Sequence, residues 1–474
     1  MMTSDRKRVR KDSQLGLEPL QDAELHHADT PTSEAEMIAS QECRFRNLYK
    51  KAPDFKVLAL LDPDFAPFVK GRDLDFNDPA AVMQLTKTLL KLDFDLEIEL
   101  PDDRLCPPVP NRHNYILWIK DLLSTTVVDD PTYKAVGLDI GTGASCIYPL
   151  LGCTQRPWSF IATDIDPESL KHARRNIDLN GLTSRIDLIA RQPSDTLIPT
   201  SHLPTTLDFT MTNPPFYSSD DELSASAANK SLSPSTACTG APVEMVTPGG
   251  EVAFVTRIIE ESLILKERVT WYTAMVGFLS SLTSLVDRLK KEDVVNYAVT
   301  EFVQGSKTRR WALAWSFGAM RPEERVVRGV NAQSLAKSVL PPSTQIKFIE
   351  VIPPPELGSF IEFLTEKIEE LDLESWDWDR QALEGVGKAP DKVWARAWRR
   401  MKKRQEAGDL LTAMEKADEK KSLGFKITIR VQRDESVEVM CRWMEGHDAA
   451  VFESFGGFLK TTIESARGKQ REGK

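Results

Sequence analysis

Val136-Gly137-Leu138-Asp139-Ile140-Gly141-Thr142-Gly143-Ala144-Ser145 is the stretch that decides the fold. A short apolar run suited to a buried strand leads into two glycines, and the small residues after them suit the start of a helix. Gly141 and Gly143 let the backbone adopt angles closed to residues with a Cβ and approach a bound nucleotide-like ligand closely. A dinucleotide fold would carry a third glycine three positions after Gly143. Position 146 is Cys, which turns the reading away from NAD.

Working outward, Phe160-Ile161-Ala162-Thr163-Asp164-Ile165-Asp166 ends a second apolar run with an acid twenty-five residues after Asp139. A carboxylate at the end of that strand can take both hydroxyls of a ribose, and ligands of open α/β sheets lie beyond the carboxyl ends of their strands. The alternative is that Asp164 only caps the helix that begins at Pro167. Segments 135–140, 160–163, 186–190 and 207–211 read as strands and 167–179 as an amphipathic helix, the β/α/β order of a parallel sheet. Beyond a Ser- and Ala-rich loop (218–242), residues 251–255 read as extended, 256–265 as helical, 271–276 and 294–303 as extended, and 311–317 as a strand pairing back. The pieces add up to an α/β fold with a seven-stranded sheet that ends in an antiparallel hairpin.

Asn213-Pro214-Pro215-Phe216 follows the strand 207–211, seventy residues after Gly143. The side-chain oxygen of Asn213 and the carbonyl of Pro214 can each accept one N–H of an exocyclic amino group such as adenine N6. That draws electron density back to a nitrogen whose lone pair is delocalised into the ring. Pro214 and Pro215 fix the turn, and Phe216 offers a stacking face for a base taken out of its helix. An ordinary tight connection is the alternative for a short Asn-Pro turn.

At 474 residues the chain exceeds what one core usually supports. Residues 1–41 read as a disordered basic tail whose Arg6, Lys7, Arg8, Arg10 and Lys11 suit nuclear import. Residues 42–125 read as a helical module, 126–325 as the α/β core, and 326–474 as a split β-α-β-β-α domain with a charged insertion at about 374–421. The start of the chain lacks the apolar stretch of a secretory signal, no run approaches the ~18–20 apolar residues of a membrane span, and the six cysteines are scattered. A protein inside the cell, with reduced thiols, no metal and no membrane partner, is the expectation. The net charge of −10 excludes a uniformly basic coat, so phosphate binding would depend on local clusters. These are Arg44, Arg46, Lys50 and Lys51; Lys307, Arg309 and Arg310; and Arg396, Arg399, Arg400, Lys402, Lys403 and Arg404, the last interleaved with Trp394 and Trp398. For each, a solvated helix face or loop is the alternative.

The chain resembles the eukaryotic U6 small nuclear RNA adenine-N6 methyltransferases, relatives of the bacterial large-subunit ribosomal RNA adenine-N6 methyltransferases. Besides the two turns already quoted, the likeness runs through Pro53-Asp54-Phe55, Leu74-Asp75-Phe76-Asn77-Asp78-Pro79, Arg112-His113-Asn114-Tyr115-Ile116, Cys146-Ile147-Tyr148-Pro149-Leu150-Leu151-Gly152, Thr300-Glu301-Phe302-Val303-Gln304-Gly305 and Arg309-Arg310-Trp311-Ala312-Leu313-Ala314-Trp315-Ser316-Phe317. The resemblance implies a class I, Rossmann-like methyltransferase fold, S-adenosyl-L-methionine as cofactor, and an N-terminal module that helps to form an RNA groove with Arg44, Arg46, Lys50, Lys51, Arg309 and Arg310. It also implies roles: Arg112 at the cofactor's carboxylate, Gly141 at its methionine portion, Asp164 at the ribose, Thr196 at the adenine side and Asn213 at the target, with Asp139 and Gly143 completing the cofactor set. Two positions depart from the family. Asp164 stands where members carry Glu, and Asp195 stands where vertebrate members carry Lys in a loop thought to hinder cofactor access, so no such autoinhibition is implied here. The C-terminal part resembles an RNA-binding domain similar to kinase-associated domains. The implied partner is U6 RNA, with messenger RNA hairpins as a further candidate, in the nucleus or also the cytoplasm. Rival readings are a guanine-N2 or protein-glutamine methyltransferase, and an RNA-binding splicing factor without catalysis.

Overall fold

The structure is a computed structural model that describes residues 34–219, 240–304, 308–329, 335–406, 421–432 and 436–472. It divides into two units, Met1–Arg44 and Phe45–Lys474. The basic opening of the first, and the 218–242 loop apart from its ends, lie outside the described residues. Residues 34–41, expected to continue the disordered tail, instead begin helix α1 (Glu34–Asn47). Ala and Met favour the helix there, and acids at its start oppose the dipole.

Unit two opens with α2 (Phe55–Leu61), a small hairpin of β1 (Val69–Lys70) and β2 (Asp73–Leu74), α3 (Pro79–Phe94) and α4 (Val109–Thr126). Asp54 and Asp78 cap α2 and α3 through side-chain oxygens that accept the N–H groups of Lys56 and Ala80, and Pro79 occupies the first turn where its missing N–H is not needed. Helix α4 is buried on several sides because it wedges against the main sheet: the Tyr115 hydroxyl lies 2.6 Å from Thr273 Oγ1, and Trp118 Nε1 donates to the carbonyl of Val326 at 2.9 Å.

That sheet comprises β3 (Val136–Ile140), β4 (Ser159–Asp164), β5 (Ile186–Ala190), β6 (Leu207–Thr212), β7 (Val269–Val276), β8 (Tyr297–Gln304) and β9 (Thr308–Trp315). Their order is β5-β4-β3-β6-β7-β9-β8, parallel from β5 to β7 with β9 antiparallel to both of its neighbours. Helices α5 (Ile147–Gln155) and α6 (Pro167–Leu179) join α4 on one face, with Phe160, Phe209 and Trp271 in their core. On the other, α8 (Gly250–Leu265) and α9 (Leu279–Lys291) pack on Leu138, Tyr272 and Trp315; a short α7 (Pro242–Met245) precedes them. Both faces are therefore covered, which is why the strands read as apolar runs.

Residues 251–255 are helical in α8, not extended as their β-branched content suggested. The buried set Glu251, Val255, Ile258, Ile259 and Ser262 recurs at spacings of three and four, and that single helical face overrides the local propensity.

A short α10 (Glu324–Val327) leads to β10 (Gln345–Val351), α11 (Pro354–Glu369), β11 (Ser375–Asp379), β12 (Glu384–Ala389), α12 (Arg396–Glu406), β13 (Leu423–Val431), β14 (Ser436–Glu445) and α13 (Ala449–Glu472). The five strands form an antiparallel sheet in the order β10-β14-β13-β12-β11. The segment expected as a charged insertion thus supplies two of the strands. Its charge masked a period-two pattern in which Trp376 and Trp378 face inward opposite Gly387 and Gly385 while Asp377 and Asp379 point out.

Arg321 fastens this sheet to the core. It is buried, its guanidinium carbon lies 4.1 Å from the Trp443 ring centroid, and it donates to the carbonyls of Gly446 (2.8 Å), His447 (3.2 Å) and Val295 (3.3 Å). Burial pushes its pKa down, yet guanidinium stays charged at neutral pH. Arg321→Ala would strand those carbonyls and lose the stacking, and is expected to cost about 2–4 kcal/mol in urea unfolding, with Arg321→Lys recovering less than half because an ammonium neither forks nor stacks flat.

Candidate active site

The glycine turn is set by hydrogen bonds from the neighbouring strand. The Thr163 carbonyl accepts the N–H groups of both Gly141 and Thr142 at 2.9 Å, and Asp164 accepts that of Gly143 at 2.8 Å through Oδ2 and that of Asp166 at 2.9 Å through Oδ1. Gly141 and Gly143 take φ values of 76° and 64°, so their lack of a Cβ is needed for conformation. Burial raises the pKa of Asp164, and the backbone N–H groups pull it back. Each carboxylate oxygen keeps lone-pair capacity for a hydroxyl donor.

Asp139, on β3, is fully buried, and neither of its oxygens has a hydrogen-bond partner among the described residues. Burial first, and then the charge of Asp164, push its pKa up to about 7 against the pull of the nearby Thr142 hydroxyl and of Arg112. Arg112 projects from α4, buried, with its guanidinium 5.5 Å from the Tyr148 ring centroid and a contact of 3.3 Å to Met275 Sδ. An unpaired buried carboxylate with a buried guanidinium in its field suits a ligand that carries an ammonium and a carboxylate together, as an amino-acid portion does.

At the end of β6, Thr212 Oγ1 donates to the Ile140 carbonyl at 2.8 Å, tying the strand to the glycine turn. Asn213 comes next, and its Oδ1 is buried without a partner among the described residues. Pro214 is buried, Pro215 half-buried, and the Phe216 ring lies 5.2 Å from the guanidinium carbon of Arg310. Tyr217 N donates to the Met245 carbonyl and Thr247 N to that of Tyr217, both at 3.0 Å, which anchors the far side of the turn on α7.

The expected residues are not all engaged at these strand ends. Thr196 is exposed on the loop after β5, and its hydroxyl donates to the Ile198 carbonyl at 3.0 Å, within its own loop. Arg46 forms a two-pronged pair with Asp121, at 2.5 and 3.2 Å, and Arg325 shares that acid. Arg309 pairs with Glu301 at 2.9 Å, Lys50 donates to Asn47 Oδ1 at 2.8 Å, and Lys51 is exposed. Arg44 is exposed on α1. Lys307 lies outside the described residues.

Three acids and an arginine escaped the sequence reading. Glu244 Oε2 accepts the N–H groups of Leu105 and Ala241 at 2.9 Å each; Arg104 reaches Asp166 Oδ2 at 3.0 Å; and Glu251 holds the turn after β7. For Glu251 the available signal was an acid in register with an apolar helical face.

The pKa of Asp139 carries a stability consequence. Between its ordinary value of 3.8 and about 7 the folded chain keeps a proton that the unfolded chain has lost, so stability from this group is present below pH 3.8 and is lost as pH rises to about 7. Asp139→Asn is therefore expected to raise the unfolding free energy of the cofactor-free chain by on the order of 2–4 kcal/mol at pH 8 and by little at pH 4, as read from urea titrations at both values.

A sequence family described as RNA methyltransferase matches residues 37–319. The U6 small nuclear RNA (adenine-(43)-N(6))-methyltransferase of Schizosaccharomyces pombe is 37% identical over 395 residues, covering 83% of this chain and 96% of that protein. The RNA N(6)-adenosine-methyltransferase METTL16 of Homo sapiens is 44% identical over 294 residues, which is 59% of this chain and 51% of that protein, so the likeness spans about half of the human relative. The crystal structure of the human METTL16 catalytic domain in complex with MAT2A 3'UTR hairpin 1 superposes with a TM-score of 0.53 at 44% identity, over 57% of this chain and 94% of that one. With the glycine turn, the strand order and the Asn213 turn in place, these matches settle the assignment: the chain belongs to the RNA methyltransferase family that includes the U6 small nuclear RNA adenine-N6 methyltransferases.

Proposed function

We infer that this chain methylates N6 of an adenosine in RNA, with S-adenosylmethionine as methyl donor and U6 small nuclear RNA as substrate, in the nucleus. The observation that carries the reading is Asn213 Oδ1, a buried acceptor with no partner among the described residues, at the end of β6 beside an aromatic ring. A buried amide oxygen left unsatisfied costs about 1–3 kcal/mol, which an amino N–H from a ligand would recover. The relatives' substrates point the same way: the fission yeast protein is named for adenine 43 of U6 RNA, and the human catalytic domain was solved with an RNA hairpin.

The chain's own residues fit the cofactor. Asp139 and Arg112 match its ammonium and carboxylate, Asp164 its ribose hydroxyls, and the turn at Gly141 and Gly143 leaves the approach open. When bound, the cofactor supplies a methyl group made electrophilic by a sulfonium. Everything else falls to the protein. Asn213 and the Pro214 carbonyl accept the two N–H bonds of the adenine amino group, which weakens its conjugation with the ring and aims the lone pair. Phe216 supports the base. The amino group becomes more acidic as its nitrogen acquires a new bond, so its surplus proton can leave to solvent without a strong base.

RNA positioning falls to Arg310 beside Phe216, to Lys50 and Lys51 from the N-terminal module (42–125), and to the C-terminal domain (326–474), where Arg396, Arg399, Arg400 and Lys403 lie together on the described part of α12. Messenger RNA hairpins, as in the human complex, are a second substrate class.

Methyl transfer from labelled S-adenosylmethionine to U6 RNA, and to a copy with the candidate adenosine changed, is expected to yield N6-methyladenosine from the intact RNA alone. Asn213→Ala is expected to lower turnover by at least about 100-fold while RNA affinity, by fluorescence anisotropy, changes less than about threefold. Turnover by that variant at the normal rate would remove Asn213 from the mechanism.

A further inference from the structure

Glu251 is 2% exposed, in the first turn of α8, and the reaction as described has no use for it. Its carboxylate accepts two successive backbone N–H groups in the turn after β7, that of Gly277 at 2.7 Å through Oε2 and that of Phe278 at 3.1 Å through Oε1. Among the described residues this is where β7 hands over to α9, and the clamp fixes the backbone there in one position.

What rests against that backbone is Phe216. A Cβ added to Gly277 would stand 2.9 Å from Phe216 Cδ1 and 3.2 Å from Cε1, closer than carbon atoms pack, so the ring lies directly on the glycine. Arg310, from β9, holds its guanidinium carbon 5.2 Å from the same ring's centroid and sits in the electrostatic field of Glu251. One acid therefore acts on both neighbours of the aromatic ring: by hydrogen bonds on the turn at Gly277, and by charge on Arg310.

We propose that Glu251 and Gly277 are positioning residues for the target base, the buried carboxylate pinning the glycine turn so that Phe216 is held at one fixed inclination as the platform for the adenine. This rests on the adenine-N6 reading given above and adds to it the part that sets the platform. Neither residue touches cofactor or base; both act through Phe216. A backbone N–H clamp suits the task because two short charge-assisted bonds to rigid main chain transmit position better than a contact between flexible side chains.

Two variants reach the platform by different routes. Glu251→Gln keeps the shape but turns one acceptor into a donor that faces a backbone N–H, while Gly277→Ala keeps the carboxylate and its charge, sets a methyl in ordinary contact with Oε2 at 3.4 Å, and pushes that methyl into the ring. The full chain would be used, with U6 RNA bearing 2-aminopurine at the target position as the probe of stacking, S-adenosylhomocysteine affinity by calorimetry, and kcat and KM on unmodified RNA. For both variants kcat is expected to fall roughly 10–100-fold, the size of effect that a displacement of about 1 Å at a reacting group produces. The 2-aminopurine emission change on binding is expected to fall to less than half, while S-adenosylhomocysteine affinity and RNA affinity stay within about threefold. Gly277→Ala, whose buried charge network is intact, keeps the test valid should Glu251→Gln fail to fold. Wild-type kcat and emission in Gly277→Ala would overturn the proposal, as would a loss in either variant that tracks a fall in S-adenosylhomocysteine affinity. Absence of transfer by the wild-type chain would instead overturn the adenine-N6 reading itself.

Discussion

The two amide hydrogens that Gly141 and Thr142 give to the Thr163 carbonyl, with the third that Gly143 gives to Asp164, fix the site to the sheet. Strand β4 thereby dictates the path of the chain leaving β3, and the turn cannot relax without disrupting the parallel pairing beneath it. From there the constraint passes sideways. Thr212 Oγ1 ties the end of β6 to Ile140, so Asn213 begins at a fixed distance from the glycine turn; Thr273 Oγ1, donating to the Thr210 carbonyl at 2.8 Å, ties β7 to β6 in turn. The glycine turn and the Asn213 turn are thus parts of one hydrogen-bonded edge, so the two ends of the proposed site are held in register although seventy residues separate them.

The price of this arrangement is charge. Asp139, Asp164, Glu244 and Glu251 all have their pKa raised by burial as the first cause. For three of them backbone N–H groups pull the pKa back, because an amide dipole is fixed before any ligand arrives. Asp139 has no backbone N–H partner among the described residues and only the pull of Thr142 and Arg112 against its burial, a gap that a cationic amino group would fill. A site that is uncomfortable empty and satisfied when filled gains affinity without extra contacts, since the cost of burying the charge is already carried by the fold.

Much of this was legible from the residues. Helix 167–179 and strand 186–190 stand where the pattern put them because proline, capping acid and alternation agree there. The glycine turn and the Asn213 turn were legible because each follows an apolar strand in the order of a parallel sheet, which an isolated Gly or Asn-Pro turn does not. What escaped had a physical reason in each case. The start of α8 carries Val252 and Val255, whose branched side chains argue for a strand, and only packing against the sheet reveals the helical face. Strand β11 was hidden by acids on its solvent face, and β12 by its two glycines, which weaken any strand pattern. The partners of Arg46 and Arg309 lie 75 and 8 positions away in sequence, and no local pattern announces that Asp121 and Glu301 hold them.

Those two pairings change the electrostatic argument for RNA. A guanidinium already neutralised by a mostly buried carboxylate attracts phosphate weakly, and breaking the pair would leave that acid buried and unpaired. Arg46 and Arg309 are therefore better read as parts that shape the surface than as parts that bind phosphate. Arg310 differs in that it also lies against a ring face, while donating to the Arg309 carbonyl at 2.9 Å within the field of Glu251. A chain of net charge −10 cannot draw RNA to itself by its overall field, so recognition must be built from a few cations held at defined places. Because Arg321 and Trp443 join the C-terminal sheet to the catalytic core through buried contacts, the cations of α12 and the cation beside Phe216 belong to one continuous fold.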